Sequence, residues 1–259
     1  MQRSTLTLSS LVCLLLASAC GGASEPAPAH PSKANAEHKG HGEHGHHSHG
    51  GHDAKWEGEH AHGEGPLGHR FDNAEEWAKR FDDPKRDEWQ KPAEVVASMA
   101  LAEGMRVADI GAGTGYFLRH LSAAVGESGK VWGLDIEEDM VRYMNERAQK
   151  EGWSNTEAKV CPMDDTGLEP GSVDRILIVD TWHHIAERNA YAGKLAAALT
   201  SGGAVYVVDF TMESPHGPPV QHRLESSTVV AELEAGGLKA ELVEVDLPYQ
   251  WVVRGTKQP

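Results

Sequence analysis

Apolar residues recur with two different periods along residues 105–259, and the two periods alternate. Short continuous apolar runs, as at 106–110 and 173–180, predict buried strands. Segments whose apolar residues lie three and four positions apart, as in 137–150, predict helices. The whole stretch predicts the order β-α-β-α-β-β-α-β-α-β-β. This alternation is typical of an α/β fold with a doubly wound, mostly parallel, seven-stranded sheet.

Three segments precede this pattern. Residues 1–20 have one basic residue, a short apolar core and small residues, which predicts a secretory signal peptide too short to span a bilayer. Residues 21–69 have no apolar period and are rich in Gly, Pro, Ala, Ser, Glu and Lys, which predicts disorder. Residues 70–104 predict short helices, so we expect a helical cap ahead of a domain at 105–259.

The clearest candidate ligand site is the glycine-rich turn at 111–115, between the first predicted strand and the next helix. Glycine lets the backbone turn sharply and approach a ligand closely. A strand, a glycine turn and a helix N-terminus together direct backbone N–H groups toward a bound nucleotide. Asp109 lies two residues before the turn, and Asp135 lies 24 residues after Gly111, at the end of the next strand. An acid at about this distance commonly binds ribose hydroxyls.

The run Asp109-Ile110-Gly111-Ala112-Gly113-Thr114-Gly115 resembles motif I of class I S-adenosylmethionine-dependent methyltransferases, Asp/Glu-x-Gly-x-Gly-x-Gly. A nicotinamide-binding fingerprint would instead have the spacing Gly-x-Gly-x-x-Gly. The resemblance covers the chain from Met105 to about Arg254. It includes a final antiparallel pair of strands, predicted at 238–247 and 249–254, which is typical of the sheet of this class.

The resemblance implies a cofactor, S-adenosylmethionine, and a set of residues that bind it. The glycines would lie under the methionine and ribose, Asp109 would orient the methionine end, and Asp135 would accept from the ribose hydroxyls. The turn after the third strand would hold the adenine. The cofactor-binding residues implied are Asp109, Gly111, Ala112, Gly113, Thr114, Gly115, Asp135, Ile136, Met163, Asp164 and Asp180.

The strongest predicted strand, 173–180, ends in Asp180-Thr-Trp-His183-His184. Open α/β sheets place their chemistry at the carboxyl ends of such strands. In the methyltransferase class this position adjoins the methyl-transfer site, so Asp180, His183 and His184 are the candidate catalytic residues. A histidine here would serve as a general base or line the substrate pocket, or it would only pack at the start of a helix.

Two further segments carry candidate contacts. The cap contains a dense polar and aromatic set that would touch the cofactor or the substrate, or would form a surface helix with Trp89 buried: Arg86, Asp87, Trp89, Gln90 and Lys91. The loop at 211–222 follows the fifth strand and would cover the active site. Its candidate substrate contacts are His216, His222 and Arg223.

The net charge and the N-terminal segments bear on partners and location. The formal charge is −15, which favours a small-molecule substrate over a nucleic acid, because phosphate binding needs a basic surface. The sequence ending in Ala19-Cys20 resembles a bacterial lipoprotein signal, which implies a lipid on Cys20 and an anchor in the periplasmic or outer membrane of the cell envelope. Ordinary secretion remains open, as does a misassigned start with a cytoplasmic protein.

Eleven of the sixteen histidines lie within residues 21–69. The densest run provides imidazole ligands suited to Zn²⁺, Ni²⁺ or Cu²⁺: His41, His44, His46, His47 and His49. The same run would also serve as a solvated tether. Two hypotheses therefore follow, a methyltransferase acting on a small molecule and a membrane-anchored metal-binding protein that carries a non-catalytic methyltransferase-like domain.

Overall fold

The computed structural model describes residue 71 and residues 73–259. The predicted signal peptide, the predicted disordered segment and its candidate metal ligands lie outside this part. Within the described residues, seven strands form a single sheet: β1 Arg106–Ile110, β2 Lys130–Asp135, β3 Thr156–Val160, β4 Val173–Val179, β5 Leu199–Phe210, β6 Lys239–Val243 and β7 Gln250–Thr256.

Seven α-helices accompany the sheet in the part of the chain that the structure describes. They are α1 Ala74–Phe81, α2 Arg86–Gln90, α3 Pro92–Ser98, α4 Leu118–Val125, α5 Glu138–Glu151, α6 Arg188–Ala198 and α7 Ser226–Ala235. Two short 3₁₀ turns follow β4 and β5, at Trp182–His184 and Val220–His222. None of the described helices is both long and apolar enough to cross a bilayer. The predicted order of strands and helices from 105 onward is confirmed.

The strands lie in the order β3-β2-β1-β4-β5-β7-β6. The first five are parallel to one another, whereas β7 is antiparallel to both β5 and β6. The chain therefore ends in the predicted hairpin, with β7 placed between β5 and β6. The predicted fold class, a doubly wound and mostly parallel α/β sheet, is confirmed.

Both faces of the sheet are buried, and β4 shows why its sequence is apolar throughout. Ile176 and Ile178 point into the core layer under α6 and α7, while Leu177 and Val179 belong to the layer under α3, α4 and α5. Three of these four side chains are fully buried, and Val179 is 7% exposed. A strand covered on both faces needs apolar residues at every position.

Several element boundaries differ from those that the apolar pattern suggests; the predicted strand 238–247, for example, ends at Val243. The apolar pattern after the glycine turn predicts a helix from Tyr116, but the helix begins at Leu118, because the backbone at Gly115 has φ +79° and the turn continues past it. The apolar run at 204–210 predicts the fifth strand there, but the strand begins at Leu199, where it pairs with the start of β4. Pairing between distant strands is not visible in local periodicity.

The helix α1 is attached to the rest of the domain through α5 and the glycine turn. The Ala74 backbone N–H donates to the Asp139 carboxylate at 2.8 Å. At the other end of α1, Asp82 accepts from Thr114 Oγ1 at 3.1 Å and from Arg147 at 2.9 Å. These contacts fix the cap at the edge of the sheet where the glycine turn lies.

The helix α2 is attached through a closed ring of four side chains. Arg86 Nη2 donates to Gln90 Oε1 at 3.0 Å, and Gln90 Nε2 donates to Gln250 Oε1 at 2.6 Å. Gln250 Nε2 then donates to Asp180 Oδ1 at 2.6 Å, and Arg86 Nη2 lies 3.5 Å from Asp180 Oδ2. Gln90 is fully buried and Gln250 is 4% exposed, so each depends on the ring for its partners.

The ring predicts a measurable loss of stability when one buried member is removed. We expect Gln90→Ala to lower the free energy of unfolding in urea by about 1–3 kcal/mol, because it leaves Gln250 with a buried unpaired group. Lys79→Ala, also in the cap, is the matched control. It removes only an exposed ion pair with Glu76 and should change stability by less than about 0.5 kcal/mol. Equal effects of the two substitutions would contradict the role given to the ring.

Candidate active site

The candidate site lies at the carboxyl ends of β1 and β4, the neighbouring strands from which the strand order runs in opposite directions. Ligands of open α/β sheets bind in the crevice outside such a point. The glycine turn Gly111–Gly115 follows β1, and Asp180 follows β4. Thr181 brings the two together, because its side chain packs against Gly111 and its hydroxyl lies 3.4 Å from the Gly111 carbonyl oxygen.

The backbone conformation of the turn favours glycine at three positions. At the first of them, Gly111, a side chain would also clash with Thr181. Gly111, Gly113 and Gly115 have φ values of +70°, +55° and +79°, a region that favours glycine. A Cβ at Gly111 would lie 2.4 Å from Thr181 Cγ2, so the close approach of β1 and β4 depends on it. Between the glycines, Ala112 donates its N–H to a carbonyl of β2 at 3.1 Å.

Asp135 ends β2 and reaches back across the glycine turn. Its Oδ2 accepts from the Gly113 N–H at 2.9 Å, and its Oδ1 accepts from the Glu137 N–H at 3.0 Å. Burial raises the pKa of this carboxyl, while these backbone donors oppose that shift. The predicted contact with ribose hydroxyls stays a prediction. The carboxylate lies at the turn, as that role requires.

Two exposed apolar side chains lie beyond the ends of β2 and β3. Ile136 is 44% exposed and Met163 is 61% exposed, although large apolar residues elsewhere in the domain are mostly buried. Strands β2 and β3 are parallel and in register, with Asp135 opposite Val160, so both side chains belong to the same edge of the sheet. Apolar surface at this edge is suited to a planar ring.

Asp164 lies in the same turn and points mostly into solvent, with its side chain 90% exposed. Its backbone carbonyl oxygen accepts from the Lys194 ammonium, which also lies 3.3 Å from Asp165. The predicted adenine turn is thus attached to α6 through Lys194. The Asp164 carboxylate remains accessible to a ligand, and its predicted contact with adenine stays a prediction.

The charge of Arg86 acts on two carboxyls of the site, the buried Asp109 and the partly exposed Asp180. Asp109, at 3% exposure, has its pKa raised to about 7 by burial, with the Arg86 charge opposing and the Asp135 charge adding to the shift. Burial likewise raises the pKa of Asp180 to about 7, with Arg86 opposing. Asp180 also has a φ of +53°, which is uncommon for a residue with a side chain. The surrounding ring holds that conformation in place.

The two adjacent histidines have different surroundings. His183 is buried, and its Nδ1 lies 2.8 Å from Oδ2 of Asp209 near the end of β5. His184 is half-buried, with its ring 4.2 Å from that of His183 and edge-on to Phe71 at 6.4 Å. Sequence reasoning missed Asp209. The available signal was a carboxylate near the end of an otherwise apolar strand.

The cap set predicted from the sequence divides into three roles. Arg86 and Gln90 belong to the ring, and the Arg86 guanidinium also lies 4.2 Å from the centre of the Tyr116 ring. Asp87 accepts from the Tyr116 hydroxyl, which joins α2 to the glycine turn. Lys91 instead forms an ion pair with Asp246 at 2.8 Å, in which Asp246 is almost fully exposed. Lys91 therefore belongs to the surface of the cap.

Trp89 of the cap meets the loop after β5. Its ring stacks on His216 at 4.7 Å with an angle of 13° between the planes, and Phe210 lies 5.8 Å away. The Tyr249 ring lies 5.3 Å from that of His216, tilted by 59°. These aromatic side chains lie next to the hydrogen-bonded ring of four side chains, because Trp89 precedes Gln90 and Tyr249 precedes Gln250 in the chain. His222, the other histidine of the loop, is exposed.

The predicted substrate contact Arg223 has a different role. Its guanidinium donates to five backbone carbonyls of the preceding loop, at distances between 2.8 and 3.0 Å: those of Thr211, Met212, Ser214, His216 and Pro218. Arg223 therefore organises the loop, because its donors are engaged by the backbone. The sequence did not reveal this, since carbonyl positions depend on the path of the loop.

Metal centres need a set of ligating side chains, and the described residues lack such a group. Within residue 71 and residues 73–259, no group of three or more His, Cys, Asp and Glu side chains is arranged to hold a metal ion. The polar groups at the site are backbone N–H groups, carboxylates and imidazoles around a glycine turn.

A family model described as Methyltransferase domain matches residues 101–252. The chain belongs to this methyltransferase family. A crystal structure of an S-adenosylmethionine-dependent methyltransferase from Aquifex aeolicus is 32% identical, with a TM-score of 0.66, and the match covers 70% of this chain and 97% of that one. A Haloferax volcanii putative methyltransferase, solved with its Trm112 activator, shares the fold at 20% identity and a TM-score of 0.62, over 73% of this chain and 97% of that one.

Curated relatives of the methyltransferase include ubiquinone/menaquinone biosynthesis C-methyltransferases. The one from Bordetella parapertussis is 28% identical over 116 residues, which is 45% of this chain and 45% of the relative. The one from Burkholderia vietnamiensis is 27% identical, over 45% and 47% of the two chains. The match thus spans less than half the length of these relatives. The family model covers the glycine turn and the ends of β1 to β5.

The raised pKa of Asp109 predicts a pH-dependent stability difference. The native protein retains a proton on Asp109 up to about pH 7, whereas the unfolded chain releases it near pH 4, so this group makes the parent less stable as the pH rises between those values. Asp109→Asn cannot titrate. We expect the difference between the thermal midpoints, variant minus parent, to increase between pH 5 and pH 7.5. The increase should be about 2–4 °C for each kcal/mol of stability that the parent loses.

Asp180 titrates in both proteins, so its contribution cancels in this comparison. Thermal scans of the two proteins at the two pH values measure the effect. A midpoint difference that is the same at both would show that Asp109 has no raised pKa.

Proposed function

We propose that the methyltransferase binds S-adenosylmethionine at the glycine turn and transfers its methyl group to a small molecule held beside Asp180, His183 and His184. The observation that carries the proposal is the convergence of the glycine turn, Asp135 and the end of β4 at one edge of the sheet. In such a site, positioning of the reactants and removal of water supply most of the rate.

The residues present fit this cofactor. The positive φ values of Gly111, Gly113 and Gly115 keep side chains away from the turn, and Asp135 offers a carboxylate for hydroxyl donors. The exposed side chains of Ile136 and Met163 offer apolar surface to a planar base. The residues that would hold the cofactor are Asp109, Gly111, Ala112, Gly113, Thr114, Gly115, Asp135, Ile136, Met163, Asp164 and Asp180. When bound, the cofactor supplies a methyl group already activated on a sulfonium.

The acceptor is a small molecule. The acidic chain, with a formal charge of −15, is poorly suited to a phosphate backbone. Trp89 of the cap stacks on His216 of the loop after β5. Gln250, which contacts Asp180, follows Tyr249 of the same aromatic group, so an aromatic surface lies close to the end of β4. The curated relatives act, by their names, in the biosynthesis of ubiquinone and menaquinone, which also favours a small-molecule acceptor.

Binding of the cofactor provides the first test. We expect calorimetry to give a micromolar dissociation constant for S-adenosylmethionine. Asp135→Ala should weaken binding by about ten- to a hundredfold, because charge-assisted hydrogen bonds contribute about 1.5–3 kcal/mol. Glu241→Ala, in an exposed ion pair of the edge strand β6, is the control and should bind as the parent does. No binding by the parent at millimolar cofactor would contradict the proposal and would favour the non-catalytic alternative.

Turnover provides the second test, because it does not require the acceptor to be known beforehand. Release of S-adenosylhomocysteine is measured across phenols, amines, thiols and activated carbon acids, with a protein and an oligonucleotide for comparison. We expect release with at least one of the small molecules. Release confined to a macromolecule would contradict the small-molecule assignment.

We further propose that the enzyme is anchored in a bacterial cell envelope through a lipid on Cys20, and that the run His41–His49 binds a divalent metal. The proposal rests on the lipoprotein-like sequence before Cys20 and on the density of histidines. Radiolabelled palmitate should enter the parent and be absent from Cys20→Ser. An unlabelled parent would favour ordinary secretion or a cytoplasmic protein.

A further inference from the structure

We propose that Asp209 is a positioning residue that holds His183 in the tautomer able to accept a proton, so that the methyl acceptor is a group that loses a proton during transfer. The inference rests on the proposed function and deepens it. It identifies which of the two histidines serves as general base, and it defines the acceptor by its chemistry.

The contact between the two side chains is close and buried. Nδ1 of His183 lies 2.8 Å from Oδ2 and 3.1 Å from Oδ1 of Asp209. The His183 side chain is 3% exposed and that of Asp209 is 1% exposed. A carboxylate cannot donate a hydrogen bond, so the proton of a neutral imidazole lies on Nδ1. The second nitrogen, Nε2, then keeps its lone pair for a proton from another molecule.

The backbone fixes the orientation of the Asp209 carboxylate. Its Oδ1 accepts from the N–H of Phe210 at 2.8 Å, while its Oδ2 makes the shorter contact with His183. Both oxygens face Nδ1, but Oδ2 is the closer one and Oδ1 is also held by the backbone. An amide whose oxygen stays on the Phe210 N–H would therefore present its NH₂ at the closer position.

The pair lies where the proposed methyl transfer takes place. His183 belongs to the short turn that directly follows β4, and Thr181 of the same segment packs against Gly111 of the glycine turn. Asp209 is at the carboxyl end of β5, the neighbour of β4 in the sheet. The charged and titratable groups that face this pair are Asp180 after β4, Arg86 on α2 through Asp180, and His184.

The proton step balances with ordinary methyl transfer. As the acceptor atom forms its bond to the methyl carbon, its proton passes to Nε2 of His183, and the electron pair of the sulfur–methyl bond remains on sulfur. Asp209 stabilises the imidazolium that results. A hydroxyl, thiol, amine or activated C–H acceptor meets this requirement. An acceptor without a proton to lose would gain nothing from the pair.

The test uses Asp209→Asn in the full chain. Because the Phe210 N–H retains the amide oxygen, the amide NH₂ replaces Oδ2, the oxygen closer to Nδ1 of His183, and we expect it to donate to that nitrogen. We expect ¹⁵N NMR of histidine-labelled protein to show Nδ1 protonated in the parent and Nε2 protonated in the variant. The His183 signal is assigned by its loss in His183→Gln. S-adenosylhomocysteine release should fall by about a hundredfold or more, with cofactor affinity unchanged.

Two variants separate positioning from general damage. Asp209→Glu retains a carboxylate and should restore the Nδ1 tautomer and part of the rate. Glu232→Gln alters another carboxylate attached to the same turn, which accepts from Trp182 Nε1 at 2.8 Å, and should leave the His183 tautomer unchanged. An unchanged tautomer in Asp209→Asn, or an unchanged rate, would overturn the inference.

The parent alone also decides the matter if Asp209→Asn does not fold. An Nε2-protonated His183 in the parent would overturn the inference, and an Nδ1-protonated one supports it. This spectrum is recorded without cofactor. A parent with the expected tautomer that fails to bind S-adenosylmethionine would therefore refute the proposed function and leave the geometric assignment intact.

Discussion

The closed ring of Arg86, Gln90, Gln250 and Asp180 is the interaction on which the site depends. It joins the cap, the last strand and the end of β4, which are far apart in sequence. Two of its members are buried amides, whose polar atoms are costly to leave unpaired. The ring therefore defines how the cap covers the carboxyl ends of the strands.

The same ring sets the electrostatics of the crevice. Burial disfavours charge on Asp109 and Asp180, whereas the positive charge of Arg86 favours it. Arg86 also lies over the ring of Tyr116, which continues from the glycine turn. A sulfonium is positively charged, so nearby carboxylates and a single guanidinium held by α2 together determine the field that it would meet.

The fold and the position of the glycine turn could be predicted because they depend on local patterns. Apolar runs at 106–110 and 173–180, and the glycines 111–115, reflect backbone geometry and burial of both faces of the sheet. The roles of side chains were harder to predict. Arg223, expected to contact substrate, binds five carbonyls of its own loop, and Asp209 was missed although it lies beside His183.

The sequence by itself determined the strand order along the chain, the glycine turn with its acids Asp109 and Asp135, and the family resemblance these carry. Each of these features can be recognised from the residue types and their spacing along the chain. Only the tertiary structure decided which distant side chains meet: the ring through Asp180, the pairing of His183 with Asp209, and the different surroundings of His184. Such contacts depend on how β4, β5 and β7 lie side by side, and strand adjacency is not encoded in local periodicity.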